Sequence, residues 1–444
     1  MKYIEVYQQI KQQIQDETYQ EGQKIPSLRN LAQTYNCSLE TIKHAVSLLK
    51  EDQLIYTKNR SGLYVIQKNF PSSSDVNKDI IDFGSSRGSS ATFPYEEFQR
   101  CLKKATENYK QEFFTYGRSQ GLPELIETLH TWFESQQIYT QKENLFITTG
   151  VQQALFILSR LAFLNKKECI LLENPSYHLM IELLNVEKIP YLTIERNIDG
   201  IDWTLLEYYF REKDIKFFYT TPRISSPLGL SFTESEKKQL VRLAKKYDVY
   251  IIEDDYLADF ISNPTELPIH YYDISDHVIY LKSFSKIMFP GLRLGACVLP
   301  KLLVEKFKQY RKILEVDSGM FSQAALNLYI KSDLFNHHVS TTKKIQKERD
   351  LTFKEAIQNN DLFRPDLFLS SKSFITLPNS VSKTQFELNI NHEQVILEDL
   401  SRHFLSPSSC ETQLYGIELF HSSPETIKDG VKKIITAYEK AIKI

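Results

Sequence analysis

Apolar residues return at helical spacing three times within the first fifty positions. Tyr3, Tyr7, Ile10 and Ile14 make one stripe, which predicts an amphipathic helix. The segment Gly22 to Pro26 interrupts it, and Ser27 is placed to cap a second helix with Leu28, Leu31, Ala32 and Tyr35 on its inner face. Asn36 and Cys37 make a tight connection, after which Ser38 opens a third helix carrying Ile42, Ala45, Val46 and Leu49 inward. Leu54 to Thr57 and Leu63 to Ile66 are short apolar runs joined by Lys58-Asn59-Arg60-Ser61-Gly62, the pattern of a hairpin. Beyond Ile80 the pattern changes. The runs Leu145–Thr148, Cys169–Leu172, Phe217–Thr220, Val249–Ile252 and Val278–Leu281 each end in polar or turn residues and alternate with helical stretches. That alternation predicts an α/β body with a mostly parallel sheet. A last helix begins at Ser423-Pro424 with Ile427, Val431, Ile434 and Tyr438 on one face.

The pattern divides the 444 residues into a head over 1–67, a linker over 68–79 containing Pro71 and Ser72-Ser73-Ser74, and a body over 80–444. The body is expected in a large part of about 112–325 and a small part of about 326–444 that also takes up the N-terminal segment of the body. A hydrophobic share of 42% and a charged share of 25% are those of a soluble globular protein. Cys37, Cys101, Cys169, Cys297 and Cys410 lack paired spacing, so neither zinc nor a disulfide framework is expected. With no leader pattern and no apolar run near the ~18 residues that span a bilayer, a cytoplasmic location is expected.

The net charge of −2 conceals a difference along the chain. Residues 1–70 hold nine Lys/Arg against seven Asp/Glu, which makes the head weakly basic, so tight DNA binding would need two heads together. Helices joined by a short turn and followed by a hairpin suit a winged helix-turn-helix, its third helix in the major groove and Arg60 near a phosphate or the minor groove. A small protein-interaction module is the alternative. The run Ile25-Pro26-Ser27-Leu28-Arg29-Asn30-Leu31-Ala32, then Cys37-Ser38 to Thr41-Ile42-Lys43, then Leu54-Ile55 to Ser61-Gly62 and Tyr64-Val65, resembles the GntR-type winged helix. That resemblance implies contacts to double-stranded DNA from Arg29, Ser38, Thr41, Lys43 and the wing near Arg60 and Gly62. Leu39-Glu40 stands where the family often has arginine. Glutamate accepts from a cytosine amino group and repels phosphate, so either an operator unlike the common ones or weaker binding is expected.

In the body, Ser283-Phe284-Ser285-Lys286 directly follows a predicted strand. A lysine there can be desolvated, which lowers its pKa and makes its amine a nucleophile toward an aldehyde; a strand-end lysine is otherwise a solvated surface residue. Ser283 and Ser285 offer hydroxyls to a phosphate, and Arg293 offers a bidentate clamp. Ile251-Ile252-Glu253-Asp254-Asp255-Tyr256 ends in carboxylates where α/β folds place ligands. A carboxylate facing a pyridine nitrogen would keep it protonated; a magnesium site or a helix cap is the alternative. Thr148-Thr149-Gly150-Val151-Gln152-Gln153-Ala154 leads through a glycine into a helix whose first amides can bind an anion. Glu173-Asn174-Pro175-Ser176-Tyr177 sets an aromatic ring after another strand, either to stack on a flat group or to fill the core.

Together with Tyr116-Gly117, Gly121 and Gly291-Leu292-Arg293-Leu294-Gly295, these motifs resemble, in order, the fold-type I aminotransferases over residues 80–444. Joined to a GntR-type head, the whole resembles the MocR subfamily of transcription regulators. The resemblance implies pyridoxal 5'-phosphate as cofactor, with Lys286 as the lysine that carries it and Asp254 on the pyridine nitrogen. It puts Tyr256 near the phenolic oxygen, Tyr177 on the ring, and Gly150, Val151, Gln152, Ser283, Ser285 and Arg293 at the phosphate. Tyr116 is implied to reach the phosphate of a neighbouring subunit, hence a homodimer with shared sites. No metal is expected. Ser226-Pro227-Leu228-Gly229 replaces the family's Asn-Pro-Thr-Gly turn, which leaves Ser226 with a shorter reach to the phenolic oxygen. Ser371-Lys372 replaces a glycine pair, and Ile417-Glu418-Leu419 stands where a carboxylate-binding arginine is usual. Glu418 would repel a substrate carboxylate. The cofactor grip is retained and the amino-acid grip is altered. The expectation is a DNA-binding regulator that senses a small amine or pyridoxal phosphate itself, the alternative being a working aminotransferase with a DNA-binding head.

Overall fold

The computed structural model describes residues 2–66 except 17, 21, 53, 59 and 60, and residues 80–442 except 85–92, 116, 262, 264, 315–318, 359, 364–371, 379 and 406–412. The chain forms two compact units, Met1–Asp79 and Ile80–Ile444. The linker expected over 68–79 lies outside the described residues.

In the head, α1 (Lys2–Gln15), β1 (Lys24–Ile25), α2 (Leu28–Thr34), α3 (Leu39–Glu51), β2 (Ile55–Lys58) and β3 (Gly62–Val65) surround one apolar centre. Ile10, Leu31, Ile42, Ala45, Leu49 and Ile55 are buried there together with Val6, which the expected stripe of α1 omitted. The break at Gly22 to Pro26 contains a structural element of its own. Lys24 and Ile25 pair antiparallel with Tyr64 and Leu63, so the wing is a three-stranded sheet in the order β1-β3-β2. Both expected caps form: the Ser27 hydroxyl accepts from the Asn30 amide and the Ser38 hydroxyl from the Thr41 amide, satisfying first-turn donors that have no partner within the helix. Gly62 opens β3 at φ +131°, a conformation side chains disfavour.

The body begins with β4 (Ile81–Asp82) and is built on an eight-stranded sheet. Its strands are β5 (Leu145–Thr148), β6 (Cys169–Asn174), β7 (Tyr191–Asn197), β8 (Gly200–Ile201), β9 (Ile215–Thr220), β10 (Tyr250–Asp254), β11 (Val278–Ser283) and β12 (Gly295–Val298). They lie in the order β5-β12-β11-β10-β9-β6-β7-β8. Each apolar run expected as a strand is one, and the central neighbours β11, β10, β9, β6 and β7 run parallel. β12 runs antiparallel to both its neighbours. Fully buried strands such as β9 and β10 carry apolar residues on both faces because helices cover the sheet on each side.

A smaller sheet holds β13 (Lys372–Leu377), β16 (Gln413–Glu418) and β15 (Glu398–Asp399) in the order β13-β16-β15. β14 (Val395–Ile396) pairs with β4, so the first body strand joins the C-terminal part of the chain. Ile81 and Phe83 share a core with Ile375, Ile417, Ile427, Val431 and Ile434. The last helix, Pro424–Ile442, supplies the final three.

Candidate functional site

The parallel strands end along one edge of the large sheet, and the residues just past those ends converge. Helices following parallel strands leave a crevice there, with backbone amides turned toward it. A cavity of about 490 Å³ opens at this edge. All the residues expected to hold the cofactor line it except Tyr116: Gly150 and its neighbours Val151 and Gln152 beyond β5, Tyr177 beyond β6, Ser226 beyond β9, Asp254 and Tyr256 at β10, and Ser283, Ser285, Lys286 and Arg293 around β11. Tyr116 lies outside the described residues.

One end of the cavity is an anion cradle. Gly150 precedes the helix Val151–Arg160 at φ +73°, a conformation that favours glycine and turns the first helical amides outward. The Arg293 guanidinium lies opposite. An added Cβ on Gly150 would meet it at 3.6 Å. Arg293 donates to the Gln152 side-chain oxygen at 3.1 Å, and Gln152 donates onward to the Tyr177 hydroxyl at 3.3 Å.

At the other end stands Asp254, 5% exposed. Its Oδ2 accepts from the Tyr219 hydroxyl at 2.8 Å, while Oδ1 is buried without a hydrogen-bond partner. Burial raises this carboxyl from the ordinary 3.8 to about 7, against the Tyr219 hydrogen bond and with Asp255 adding to the rise. The three carboxylates that the sequence set side by side have different fates, because alternate strand residues face opposite ways. Glu253 accepts from the Ile269 and His270 amides at 2.8 Å each. Asp255 binds Arg223 and accepts from the Tyr280 hydroxyl at 2.7 Å. Asp254 alone of the three lines the cavity, and among the described residues no group of three His, Cys, Asp or Glu is disposed to hold a metal ion.

Lys286 is half-buried, its side chain 15% exposed, and not a solvated surface residue. Burial brings its amine down from 10.5 to about 8, the Lys372 charge lowering it further and Glu418 opposing. Its Nζ lies 3.3 Å from Glu418 Oε2. Tyr256 donates to the Ile224 carbonyl at 3.3 Å, so its hydroxyl already has an acceptor beside the Ser226 turn.

Several lining groups escaped the sequence reading. Lys372, Glu398, Arg402, His403 and His178 all face the cavity. Lys372 and Glu418 are cross-strand partners on β13 and β16, with Nζ and Oε1 2.6 Å apart. Glu398 binds Arg402 and lies 3.2 Å from His403 Nε2. Burial pushes Glu398 up, but His403, Arg402 and Lys372 outweigh it and hold the carboxyl at about 2. His178 follows Tyr177 at the start of the helix His178–Glu187 beyond β6, whereas Lys372 and Glu398 lie on short strands of the small sheet with Arg402 and His403 just beyond, and pairing across that sheet brings these four together. Glu418 was expected to face a ligand's carboxylate with a bare negative charge. Instead it is bonded to two lysines.

In the head, Arg29 and Lys43 are exposed. Ser38 and Thr41 share a hydroxyl hydrogen bond of 2.8 Å in the cap of α3, and Lys43 is tied to Glu40 at 3.0 Å. Leu39, His44 and Ser47 are exposed on the same helix. Gly62 starts the second wing strand, and Arg60 lies outside the described residues.

A family profile described as bacterial regulatory proteins of the gntR family matches residues 2–65, and one described as aminotransferase class I and II matches residues 78–374. The chain is 40% identical over 442 residues, 98% of its length and 99% of the relative's, to the uncharacterized HTH-type transcriptional regulator YcxD of Bacillus subtilis. The chain belongs to the MocR-type GntR regulators. This regulator is also 26% identical over 457 residues to the HTH-type transcriptional regulator NorG of Staphylococcus aureus, covering 94% of this chain and all of that one. Its body shares the fold of the Pyrococcus horikoshii kynurenine aminotransferase at a TM-score of 0.73 and 24% identity, over 83% of this chain and 93% of that one. Family and fold therefore agree: a DNA-binding winged head precedes an aminotransferase-like α/β body. Among the described residues, no helix is long and apolar enough to cross a membrane.

Proposed function

We propose that this regulator binds pyridoxal phosphate in the strand-end cavity through Lys286, senses there a small amine or pyridoxal phosphate itself, and alters DNA binding in response. The observation that carries this reading is Asp254 Oδ1, a buried carboxylate oxygen without a partner in the same cavity as Lys286. Leaving such an atom unsatisfied is costly, and a protonated ring nitrogen would satisfy it. The residues fit the cofactor at the other end as well, where helix amides, two serines and Arg293 would hold a phosphate.

When bound, pyridoxal phosphate supplies an aldehyde that bonds to amines and a ring that withdraws electrons. The chain's own groups prepare for it. Asp254 would hold the proton at the ring nitrogen, and Tyr219 fixes the orientation of its carboxylate. Lys286, near 8, has an appreciable neutral fraction at physiological pH and is thus a competent nucleophile. Tyr177, half-buried and hydrogen-bonded to Gln152, would cover one face of the ring and exclude water.

A second copy of the chain is part of the proposal. Phe114 is 87% exposed beside Phe113, whose ring stacks on the half-exposed Phe321 at 4.0 Å. An exposed aromatic group of this kind favours a self-complementary interface, and Tyr116 lies two residues further on. Two linked heads would offset the modest charge of each.

Titrating the full-length protein with pyridoxal phosphate should give saturable binding and a visible absorbance band. Lys286→Ala should lose that band. Wild-type protein that takes up no pyridoxal phosphate, or an unchanged spectrum in Lys286→Ala, would overturn the reading. Mobility shifts on promoter DNA with and without cofactor and amines read out the response. Sedimentation at twice the 51.9 kDa chain mass would support the dimer.

A further inference from the structure

A second cavity, of about 740 Å³, opens at the opposite edge of the large sheet. The parallel strands that end at the cofactor cavity begin here: Lys167 and Glu168 precede β6, Ile189 and Pro190 precede β7, and Lys216 is the second residue of β9. The helix Val151–Arg160 connects the two edges. Its first amides form the anion cradle, and its C-terminal end, Ser159 to Ala162, borders the second cavity, roughly 15 Å away at about 1.5 Å per residue. The two cavities share no lining residue.

The lining is unbalanced in charge. Arg160, Lys166, Lys167, Lys216 and Lys306 stand against Glu168 and Glu187, and Arg160 takes up Glu187. Three of the lysines are held by carbonyls instead. Lys216 Nζ donates to the Ser159 and Leu161 oxygens at 2.6 and 3.1 Å, and Lys306 Nζ to the Ala162 oxygen at 3.0 Å. Lys167 Nζ donates to the Tyr247 and Asp248 carbonyls at 2.7 and 3.2 Å. A carbonyl accepts a hydrogen bond without cancelling a charge, and a helix C-terminus carries only roughly half a negative charge. Lys216 is the extreme case. It is 5% exposed, with the Phe163 and Phe217 rings 5.3 and 5.5 Å from its ammonium. Burial brings its amine down to about 8, and among the described residues only Glu168 opposes this. The two carbonyls occupy two of its three protons. An anion in the cavity would accept the third and keep the amine charged.

We propose that this cavity is a second anion site that takes a small phosphate-bearing molecule, with Lys216 at its floor and Lys166 and Lys306 at its rim. Lys166 and Lys306 are both exposed, so they can turn toward an entering charge. A phosphate carries more than one negative charge and accepts from several donors at once, which matches the surplus of cations. Depth selects a small molecule: duplex DNA meets surface lysines, and an amine as buried as that of Lys216 is beyond its backbone. Half-buried Ile189 and Tyr310 and exposed Leu164 give the remainder of such a molecule an apolar wall. The proposal stands apart from the cofactor reading, because it uses none of the same residues.

The test titrates inorganic pyrophosphate into the full-length protein by calorimetry at fixed ionic strength. An Arg293→Ala background removes the clamp of the cofactor cradle, so that binding there does not mask the second site. Saturable binding is expected. Lys216→Met keeps the apolar stem and should weaken pyrophosphate about tenfold or more, the scale of one charged hydrogen bond. That variant also leaves the Ser159 and Leu161 carbonyls without their donor, so a surface variant carries the decision. Lys166→Ala together with Lys306→Ala should weaken pyrophosphate about tenfold. Lys344→Ala with Lys347→Ala removes the same charge from exposed lysines of the helix Leu334–Ile357, and should change binding by less than about twofold. Absence of binding, or equal losses in the two double variants, overturns the proposal. So does a rim variant that weakens promoter DNA in mobility shifts but leaves pyrophosphate unchanged, since the rim would then be a DNA contact.

Discussion

Replacing Asp254 by asparagine separates what this residue costs the fold from what it contributes to binding. The carboxyl sits at about 7 in the folded body, chiefly because burial disfavours its charge, against 3.8 in an unfolded chain. A carboxyl raised on folding binds more protons in the native state, so its contribution to stability falls as pH rises from about 4 to 7. The full effect is about 4 kcal/mol. From pH 5 to pH 8 it amounts to about 2–3 kcal/mol, since the unfolded carboxyl is already ionised at pH 5. Asparagine keeps an acceptor for the Tyr219 hydroxyl but never ionises. Its amide still has to be placed where Oδ1 has no partner, which costs about 1–3 kcal/mol at every pH. Cofactor-free Asp254→Asn should therefore gain about 2–3 kcal/mol on wild type between pH 5 and 8, visible as diverging thermal or urea unfolding curves of the body. The same variant should bind pyridoxal phosphate about 10- to 100-fold more weakly at pH 8, having lost a charge-assisted hydrogen bond. Parallel stability curves across that range, or unchanged affinity, would show that the carboxylate is neither strained nor aimed at the ligand.

Arg293→Lys retains charge but loses the planar fork, and should weaken pyridoxal phosphate about 10-fold or more while leaving phosphate-free pyridoxal nearly unaffected in parallel titrations. Equal losses for both would place Arg293 away from the phosphate. Ile42→Ala empties a fully buried site in α3 and should destabilise the head by about 2–5 kcal/mol. DNA binding should fall in mobility shifts, while the visible cofactor spectrum of the body remains. Lys43→Ala should reduce affinity roughly equally across DNA sequences and flatten the salt dependence of binding; an unchanged salt slope would assign Lys43 to its bond with Glu40 alone.

Much of the architecture was legible because it depends on local rules. The change from helical to strand periodicity near Ile80, the serine caps at Ser27 and Ser38, and the glycine before Val151 are set by backbone geometry and burial within a few residues. The strand-end motifs were legible for a related reason: a parallel sheet must deliver the residues after each strand to one edge, so Gly150, Asp254 and Lys286 meet whatever the details of packing. Lys24 and Ile25 were less visible, since a two-residue strand has no period to read and exists only through its pairing with β3.

The amino-acid sequence by itself determined the order of the units, the edge at which the cavity forms, and the chemical types that line its cofactor end. Tertiary structure decided which charges face one another. Glu253, Asp254 and Asp255 are equivalent in sequence, and strand alternation together with Arg223, Tyr280 and the Ile269–His270 amides leaves only Asp254 turned to the cavity. Glu418 and Lys372 are 46 residues apart and become partners only through the antiparallel register of β13 and β16. Charge complementarity acts over a few ångströms in a buried wall, and that distance is set by the fold, not by separation along the chain.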